Sequence, residues 1–257
     1  MWKGQSVPDT APILHTLDLT KSFGMVKAAD AINVQIKQGE LVGIVGANGS
    51  GKTTFLNLIT GYVKPDRGRI LIMGQESAGL PPRRITKLGL ARSFQVPQLY
   101  AGLSVVENVL LSLAARAGKS TGFWKPLYRG QWLEEGQEVL DRFGLKPYAH
   151  RPVAELPEGG RKLLDVALSF ALKPRLLLMD EPTSGVSIED KFQVMDTLVR
   201  VLQHSAITAI FVEHDMEVVQ RYGRRVLVFD NGGVIADGAP ESVLADPEVR
   251  RAVLGRV

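Results

Sequence analysis

Apolar residues in the first third of the chain recur at spacings that predict short strands and one helix. Two stretches alternate apolar and polar side chains, and a third is continuously apolar, as expected of a strand buried on both faces. Gly61 stands at the position where a glycine commonly ends a helix. The predicted elements are strands at 13–23, 31–36, 41–45 and 69–73, and a helix at 52–60.

The middle of the chain has a different pattern. From about residue 96 to residue 160 the apolar positions follow the helical period of 3.6 residues, and a segment rich in glycine, proline and aromatic residues at 119–130 interrupts them. Strands and helices alternate again afterwards. The predicted helices are 105–115, 132–143, 160–172 and 188–203, and the later strands are 176–179, 206–212 and 225–229.

These patterns together predict an α/β fold. Apolar strands separated by helices are typical of a mainly parallel sheet that is covered by helices. The early strands have little helix between them and therefore indicate an added antiparallel β portion. We expect residues 1–12 to form a tail and residues 13–257 to form one domain, with an α-helical subdomain inserted at about 96–160.

The glycine-rich turn after the third strand has the sequence GANGSGKT, which matches GxxxxGK[ST] at every fixed position. Glycines let several main-chain N–H groups converge on phosphate oxygens, and the following helix directs its positive end at the same anion. We expect Lys52 to bind the β- and γ-phosphates of ATP and the Thr53 hydroxyl to bind Mg²⁺. The predicted nucleotide-binding residues of this turn are Gly46, Ala47, Asn48, Gly49, Ser50, Gly51, Lys52, Thr53 and Thr54.

The strand at 176–179 leads into two carboxylates, Asp180 and Glu181. In phosphate-loop enzymes an aspartate at such a strand end holds Mg²⁺, and the acid after it is free to polarise the attacking water. We therefore assign Asp180 to the metal and Glu181 to the general base. An Asp-Glu-Pro sequence also occurs in ordinary turns, so this assignment depends on the phosphate loop in the same chain.

His214 and Gln95 stand at two further junctions of the predicted elements. His214 follows the strand at 206–212, and ligands gather at the carboxyl ends of strands in such sheets, which favours a contact with the γ-phosphate over a structural role. Gln95 lies where the helical insertion begins. An isolated glutamine is usually a polar surface residue, but this junction makes Gln95 a candidate sensor of Mg²⁺ and nucleotide.

Composition and charge narrow the remaining classes of function. The chain has no cysteine, which excludes disulfides, thiolate metal sites and thiol nucleophiles. Its formal net charge is +4, and it has no run of Lys and Arg long enough to predict a nucleic-acid track. Its N-terminus does not resemble a secretion signal, and no apolar run approaches the ~20 residues that span a bilayer. We expect a cytosolic protein that reaches a membrane only through partners.

These residues, in this order, resemble the ATP-binding subunits of ABC transporters from about Ile13 to the C-terminus. In that family the phosphate loop is named Walker A, the strand ending at Asp180 Walker B, the segment at Gln95 the Q-loop, and His214 the switch histidine. The resemblance implies a P-loop NTPase core that hydrolyses ATP to ADP and phosphate with Mg²⁺. It also implies that Phe23, in a Lys-Ser-Phe-Gly context, stacks on adenine.

One motif departs from the family pattern. The signature motif is usually Leu-Ser-Gly-Gly-Gln, whereas residues 156–160 here read LPEGG, without the serine and with the added carboxylate of Glu158. In this family two subunits enclose ATP between them, and each lends its signature, including Gly159 here, to the nucleotide of the other. The resemblance therefore implies that this chain has the residues needed to bind its own ATP. The signature that it contributes to the nucleotide of the other subunit is altered. A different ATPase as the partner subunit would fit this asymmetry, and a homodimer is the alternative.

More narrowly, the chain is similar to the ATPases of branched-chain amino acid importers. The features are GLARSFQ ending at Gln95, the helical insertion with Trp124 and Trp132, EHDM at 213–216, and a DPEVRRAVLG ending. The resemblance implies transmembrane permease subunits and a second ATP-binding subunit as partners, and indirectly a periplasmic or surface solute-binding protein, but no nucleic acid. It implies a place at the cytoplasmic face of the inner (plasma) membrane and a branched-chain amino acid or related small polar solute as cargo.

Three other functions stay open at this point. ATPases that export lipid or lipopolysaccharide are also similar to this chain. A soluble ATP-gated clamp of the same superfamily is disfavoured, because the chain has one nucleotide domain and no long coiled-coil heptads between its nucleotide motifs. A nucleotide-binding regulator without turnover would fit the altered signature but not the intact Glu181 and His214.

Overall fold

The computed structural model describes residues 11–118 and 130–254. Trp124, most of the predicted tail and nearly all of the interruption at 119–130 lie outside these described residues. The strands are β1 (Leu14–Phe23), β2 (Val26–Ile36), β3 (Leu41–Gly46), β4 (Arg67–Ile72), β5 (Gln75–Glu76), β6 (Leu90–Ser93), β7 (Leu176–Asp180), β8 (Thr208–Val212), β9 (Arg225–Asp230) and β10 (Gly233–Gly238). The helices are α1 (Lys52–Ile59), α2 (Pro82–Lys87), α3 (Val105–Arg116), α4 (Gly130–Arg142), α5 (Glu158–Ala171), α6 (Ile188–His204), α7 (Met216–Tyr222), α8 (Pro240–Val243) and α9 (Pro247–Leu254).

The described residues form two compact units. The first contains the chain up to Leu90 and from Thr208 onward, and the second runs from Ala91 to Ile207. The predicted helical subdomain at about 96–160 falls within the second unit, and its bounds stay a prediction. No helix of the described ranges is long and apolar enough to cross a membrane.

The first unit combines an antiparallel sheet with a mainly parallel one. The antiparallel sheet has the strand order β2-β1-β4-β5, and in the other sheet the order is β10-β9-β3-β8. β3 runs parallel to both β8 and β9, and β10 is antiparallel to β9. All residues of β3 and β8 are buried, which explains their continuous apolar sequence. Because these strands are parallel, the segments that follow β3, β8 and β9 emerge at one edge of the sheet.

The second unit is built from β6, β7 and the helices α3 to α6, with β6 and β7 as neighbours in the sheet order. α3, α4 and α5 pack against one another, and α5 also packs against α6. Gly136 of α4 faces α3, where an added Cβ would lie 3.5 Å from Leu110 and 3.7 Å from Val106. These are ordinary van der Waals distances, and they show that this side of α4 packs against apolar side chains of α3.

A network of charges joins three helices of the second unit at one end. Arg116 of α3 donates to both carboxylate oxygens of Glu135 on α4, at 3.0 and 2.7 Å, and to the carbonyl oxygen of Ala171 at the end of α5. Lys173 lies 2.7 Å from the same carboxylate. The hydrogen bond from Arg116, followed by that from Lys173, lowers the pKa of Glu135 to about 2.

The depressed pKa of Glu135 predicts how stability depends on pH. The ionised side chain stabilises the fold above its unfolded pKa, and this stabilisation is lost as the pH falls towards about 2. We expect Glu135→Gln to lower the free energy of unfolding at pH 7 by about 1 kcal/mol. The difference from the parent should shrink below about pH 4.5 in denaturant titrations. Glu134→Gln, on the exposed neighbour, is the control, and an equal effect of both variants would contradict this prediction.

Candidate functional site

The glycine-rich turn leaves β3 at Gly46 and enters α1 at Lys52, as predicted from the sequence. Gly51 has a φ of +105°, and an added Cβ would lie 2.5 Å from the carbonyl oxygen of Ala28. At Gly46, with a φ of +155°, it would lie 2.3 Å from the carbonyl oxygen of Phe229. Glycine is required at both ends of the turn, since the backbone of neighbouring strands leaves no room for a side chain.

Lys52 is buried and holds the turn in a closed curve. Its ammonium donates to the carbonyl oxygens of Gly46 at 2.7 Å and Ala47 at 2.9 Å. A positive charge therefore lies inside the turn, where the glycines also direct main-chain groups. This arrangement fits an anion with several oxygens, because an ammonium attracts phosphate more strongly than it attracts neutral carbonyls.

Ser50 supplies a second sign that the turn accepts a ligand. Its hydroxyl oxygen is buried and has no hydrogen-bond partner among the described residues. α1 begins at Lys52 without a side-chain cap, and no acidic residue lies in its first turn. An uncapped helix N-terminus has N–H groups and a positive dipole end to offer, and such an end binds phosphate well. A buried hydroxyl without a described partner and a helix end without a side-chain cap both fit a bound triphosphate.

The turn is braced by the rest of the first unit. The N–H of Gly232, after β9, donates to the carbonyl oxygen of Ser50 at 3.0 Å, and the N–H of Asp30 on β2 donates to that of Gly232 at 2.9 Å. Phe23 pairs with Val26 at the hairpin between β1 and β2. Phe23 is 52% exposed, so its ring is accessible at the surface of the first unit. The hairpin and the turn are linked through β2.

His214 follows β8 at the edge of the sheet where the glycine-rich turn also begins. The N–H of Glu213 donates to the carbonyl oxygen of Ile44 at 3.2 Å, which places this segment beside the end of β3. His214 itself is exposed. Asp215 caps α7 by accepting from the N–H groups of Glu217 and Val218. The first unit thus positions the predicted histidine next to the strand that enters the turn.

The second unit positions the predicted carboxylates. Asp180, the last residue of β7, is buried, and its Oδ2 accepts from Nη2 of Arg92 at 2.6 Å. Glu181 has a left-handed φ of +49°, and its Oε2 accepts from Nε2 of Gln95 at 2.6 Å. Two residues 86 positions apart in the sequence, each predicted separately, therefore meet in one hydrogen bond.

Three side chains of this cluster were not predicted from the sequence: Arg92, Lys162 and Asp165. Nζ of Lys162 donates to the carbonyl oxygen of Gln95 at 2.6 Å and to Oγ of Ser184 at 2.8 Å. Asp165 accepts from main-chain N–H groups of the Gln95 segment. The sequence carried no signal for the two residues of α5, because the helical period puts Lys162 and Asp165 on the side opposite the apolar residues of that helix, where charges are normally solvated.

The altered signature segment lies at the start of α5. Pro157 occupies the N-cap position, where it offers no hydroxyl to an N–H group or to a ligand. Glu158 is the first helical residue and is exposed, with Oε2 at 3.5 Å from Nη1 of Arg161. Gly159 lies in the first turn, where an added Cβ would be 3.2 Å from Val194. The predicted loss of the serine hydroxyl and the added charge therefore both occur at a helix N-terminus.

The predicted site residues divide between the two units. Phe23, the residues of the glycine-rich turn and His214 belong to the first, while Gln95, Gly159, Asp180 and Glu181 belong to the second. Within the described ranges, no group of three or more His, Asp or Glu side chains could hold a metal ion by itself. A magnesium ion needs no such group, since it commonly takes one or two protein ligands together with substrate phosphates.

A buried strand, a glycine turn with an enclosed lysine, and a helix define a P-loop nucleotide-binding protein. The sequence pattern of the family described as "ABC transporter" matches residues 29–184. The chain belongs to this family, and it is an ATP-hydrolysing transporter subunit. The predicted fold class, a P-loop core with an antiparallel portion and helices, is confirmed by solved structures of the family.

Individual relatives extend this similarity over almost the whole chain. The high-affinity branched-chain amino acid transport ATP-binding protein LivG of Escherichia coli is 32% identical, over 95% of this chain and 98% of its own length. A crystal structure of an ATP-binding cassette of an ABC transporter in its ADP conformation has a TM-score of 0.84 at 30% identity, covering 96% of this chain and 100% of its own. A dimeric cassette in a post-hydrolysis state, bound to ADP and Pi, has a TM-score of 0.75 at 26% identity, covering 88% and 98%.

Two of the three glycines of the turn, Gly49 and Gly51, provide a matched pair of variants. Gly49 has a φ of +79° but nothing within 4 Å of an added Cβ, whereas Gly51 has both a positive φ and a contact with Ala28. We expect Gly49→Ala to cost about 1 kcal/mol of stability through backbone strain. Gly51→Ala should cost more and also weaken ATP binding by about tenfold or more, because the turn must move. Denaturant titration and ATP-binding titration measure both effects, and equal losses for both variants would contradict the prediction.

Proposed function

We propose that this protein powers an importer of branched-chain amino acids or related small polar solutes. The observation that carries this proposal is the similarity to LivG of Escherichia coli, a branched-chain amino acid transport ATP-binding protein, over nearly the full length of both chains. The same description applies to the protein BraF of Pseudomonas aeruginosa, at 30% identity. Cargo is selected by other subunits, so this chain supplies ATP hydrolysis that drives their movement.

In the proposed reaction Glu181 is the general base that takes a proton from the attacking water. The turn from Gly46 to Thr54 binds the phosphates, and Lys52 and His214 stabilise the charge that develops on the transferred group. The contact between Gln95 and Glu181 supports this assignment, because it holds the carboxylate in one orientation. Phe23 stacks on adenine.

The proposal assigns Mg²⁺ to the side-chain oxygens of Thr53, Asp180 and Gln95. Oxygen ligands of this kind are those that Mg²⁺ prefers, and the remaining positions are filled by phosphate oxygens and water. When bound, the ion neutralises charge on the β- and γ-phosphates. Arg92 supports the role of Asp180, since the buried ion pair between them fixes the carboxylate at the end of β7.

A permease subunit docks on the segment after Gln95 in this proposal. Val96 is 70% exposed and Tyr100 is 63% exposed, and Leu99 and Leu103 are half-buried beside them in the sequence. Exposed apolar residues in a cluster usually mark a surface that another chain covers. This contact places the protein at the cytoplasmic face of the inner membrane, bound through the permease subunits. A solute-binding protein outside the membrane delivers the cargo to them.

The second ATP-binding subunit of the transporter is a different chain in this proposal. Pro157 and Glu158 replace residues that would bind the phosphates of the partner's nucleotide, and a carboxylate at this place repels an anion. The dimeric cassette with ADP and Pi supports a two-subunit arrangement. The ATP site of this chain is completed by the unaltered signature of the partner subunit. The ATP site of the partner receives the altered signature of this chain and is the weaker of the two.

The direction of transport and the role of Glu181 as general base are tested together in vesicles that contain the complete transporter. With the parent chain we expect ATP-driven uptake of labelled leucine, isoleucine or valine. Glu181→Gln should lower ATP turnover and uptake about 100-fold while ATP binding is retained, because only the proton acceptor is lost. Glu189→Gln, on the exposed side of α6, is the control. ATP turnover by Glu181→Gln near the parent rate would contradict the assignment of Glu181 as general base. ATP-driven export of the solute would contradict the importer function.

The asymmetry of the two sites predicts unequal effects of the two base residues. The chain is purified with its companion ATPase, and the base glutamate of each is replaced by glutamine in turn. Loss of Glu181 should lower turnover about 100-fold, while loss of the companion's base should lower it less than about twofold. Equal losses, or full activity of this chain as a homodimer, would contradict a division of labour between different subunits.

A further inference from the structure

α5 carries two buried charges that nucleotide chemistry leaves unexplained. Lys162 is 4% exposed and Asp165 is 5% exposed, although lysine and aspartate are rarely buried unless they are paired. A separation of three residues puts them on the same side of the helix. Both reach the segment that follows β6, which contains Gln95. A buried pair of this kind costs desolvation energy, so its presence calls for a role other than packing.

Asp165 holds the main chain on both sides of Gln95. Its Oδ2 accepts from the N–H of Phe94 at 2.9 Å and its Oδ1 from the N–H of Gln98 at 3.2 Å. One carboxylate therefore closes a loop of five residues with Gln95 inside it. Burial is the largest influence on the carboxyl group and raises its pKa to about 6, although both N–H groups and Lys162 favour the ionised form.

Lys162 joins that loop to the segment after β7. Its ammonium donates to the carbonyl oxygen of Gln95 at 2.6 Å and to Oγ of Ser184 at 2.8 Å, and the carbonyl oxygen of Glu181 is 3.5 Å away. The ammonium thus contacts the main chain of Gln95 and the segment of Glu181 at the same time. The two side chains of α5 hold three of the loop's main-chain groups, and the amide of Gln95 is directed to Glu181.

We propose that Lys162 and Asp165 are a positioning pair for ATP hydrolysis: from α5 they hold the Gln95 segment so that its amide orients the carboxylate of Glu181. This proposal rests on the role of Glu181 as general base. The first turn of α5 also contains the signature residue Gly159, so the pair ties that helix to the segment of the base. A shift of α5 therefore changes the orientation of Glu181, and with it the rate of hydrolysis.

The pair is tested in the complete transporter with Lys162→Met and Asp165→Asn. Methionine keeps the length of the side chain without the donor, and asparagine keeps only one of the two acceptors. We expect kcat to fall about tenfold or more, since small misplacements of a catalytic group cost this much. The KM for ATP should stay within about twofold, because the phosphate loop is untouched. Lys146→Met, an exposed lysine of the same unit, is the control.

A double-mutant cycle with Glu181→Gln separates positioning from general damage. If the pair acts through Glu181, adding Lys162→Met to Glu181→Gln should lower single-turnover rates no further, whereas damage to the fold would lower them by the same factor again. An unchanged kcat in both pair variants, or fully multiplicative losses in the cycle, would overturn the proposal. Should Lys162→Met not fold, Lys162→Gln keeps one N–H donor group and enters the same cycle. An error in the assignment of Glu181 as general base would be recognised separately, because the single variant Glu181→Gln would then retain ATP hydrolysis.

Discussion

The structure depends first on the enclosure of one positive charge. Lys52 lies buried inside a turn whose end glycines, Gly46 and Gly51, have no room for side chains. The carbonyl oxygens of Gly46 and Ala47 hold its ammonium there. Ser50 contributes a hydroxyl without a described partner to the same turn. The turn also needs β9 and β2, because the carbonyl oxygens of Phe229 and Ala28 lie against its two end glycines. An anion with several oxygens satisfies all of these groups together, and ATP is such an anion.

The second unit solves a different physical problem, the placement of carboxylates in a partly buried environment. Asp180 is matched by Arg92, and Glu181 is oriented by Gln95. Buried carboxylates are stable when they have hydrogen-bond partners, and each of these two has one. Groups that are already held in place cost no reorganisation during a reaction, so these contacts would favour the catalytic roles that we propose for the two carboxylates.

The sequence is most informative where function is carried by neighbouring residues. The phosphate turn is one continuous segment, and its place between a buried strand and a helix could be predicted from local patterns alone. The helices and strands with strong periodicity are all present in the described residues, with bounds that differ by a few residues. The strands β5, β6 and β10 and the helices α2, α7, α8 and α9 were not predicted. Short elements have too few residues to show a period, and they form largely through tertiary contacts.

By itself, the sequence determined the nucleotide, the class of fold and the identity of the base candidate, because each depends on residue types at fixed local spacing. Only the tertiary structure decided which distant side chains meet. Arg92 and Asp180 are 88 positions apart, and nothing in the local pattern of either predicts their ion pair. Lys162 and Asp165 likewise look like ordinary surface charges until α5 is packed against the Gln95 segment. The burial of a side chain and its hydrogen-bond partners arise from tertiary packing, and the local propensities of the sequence do not predict that packing.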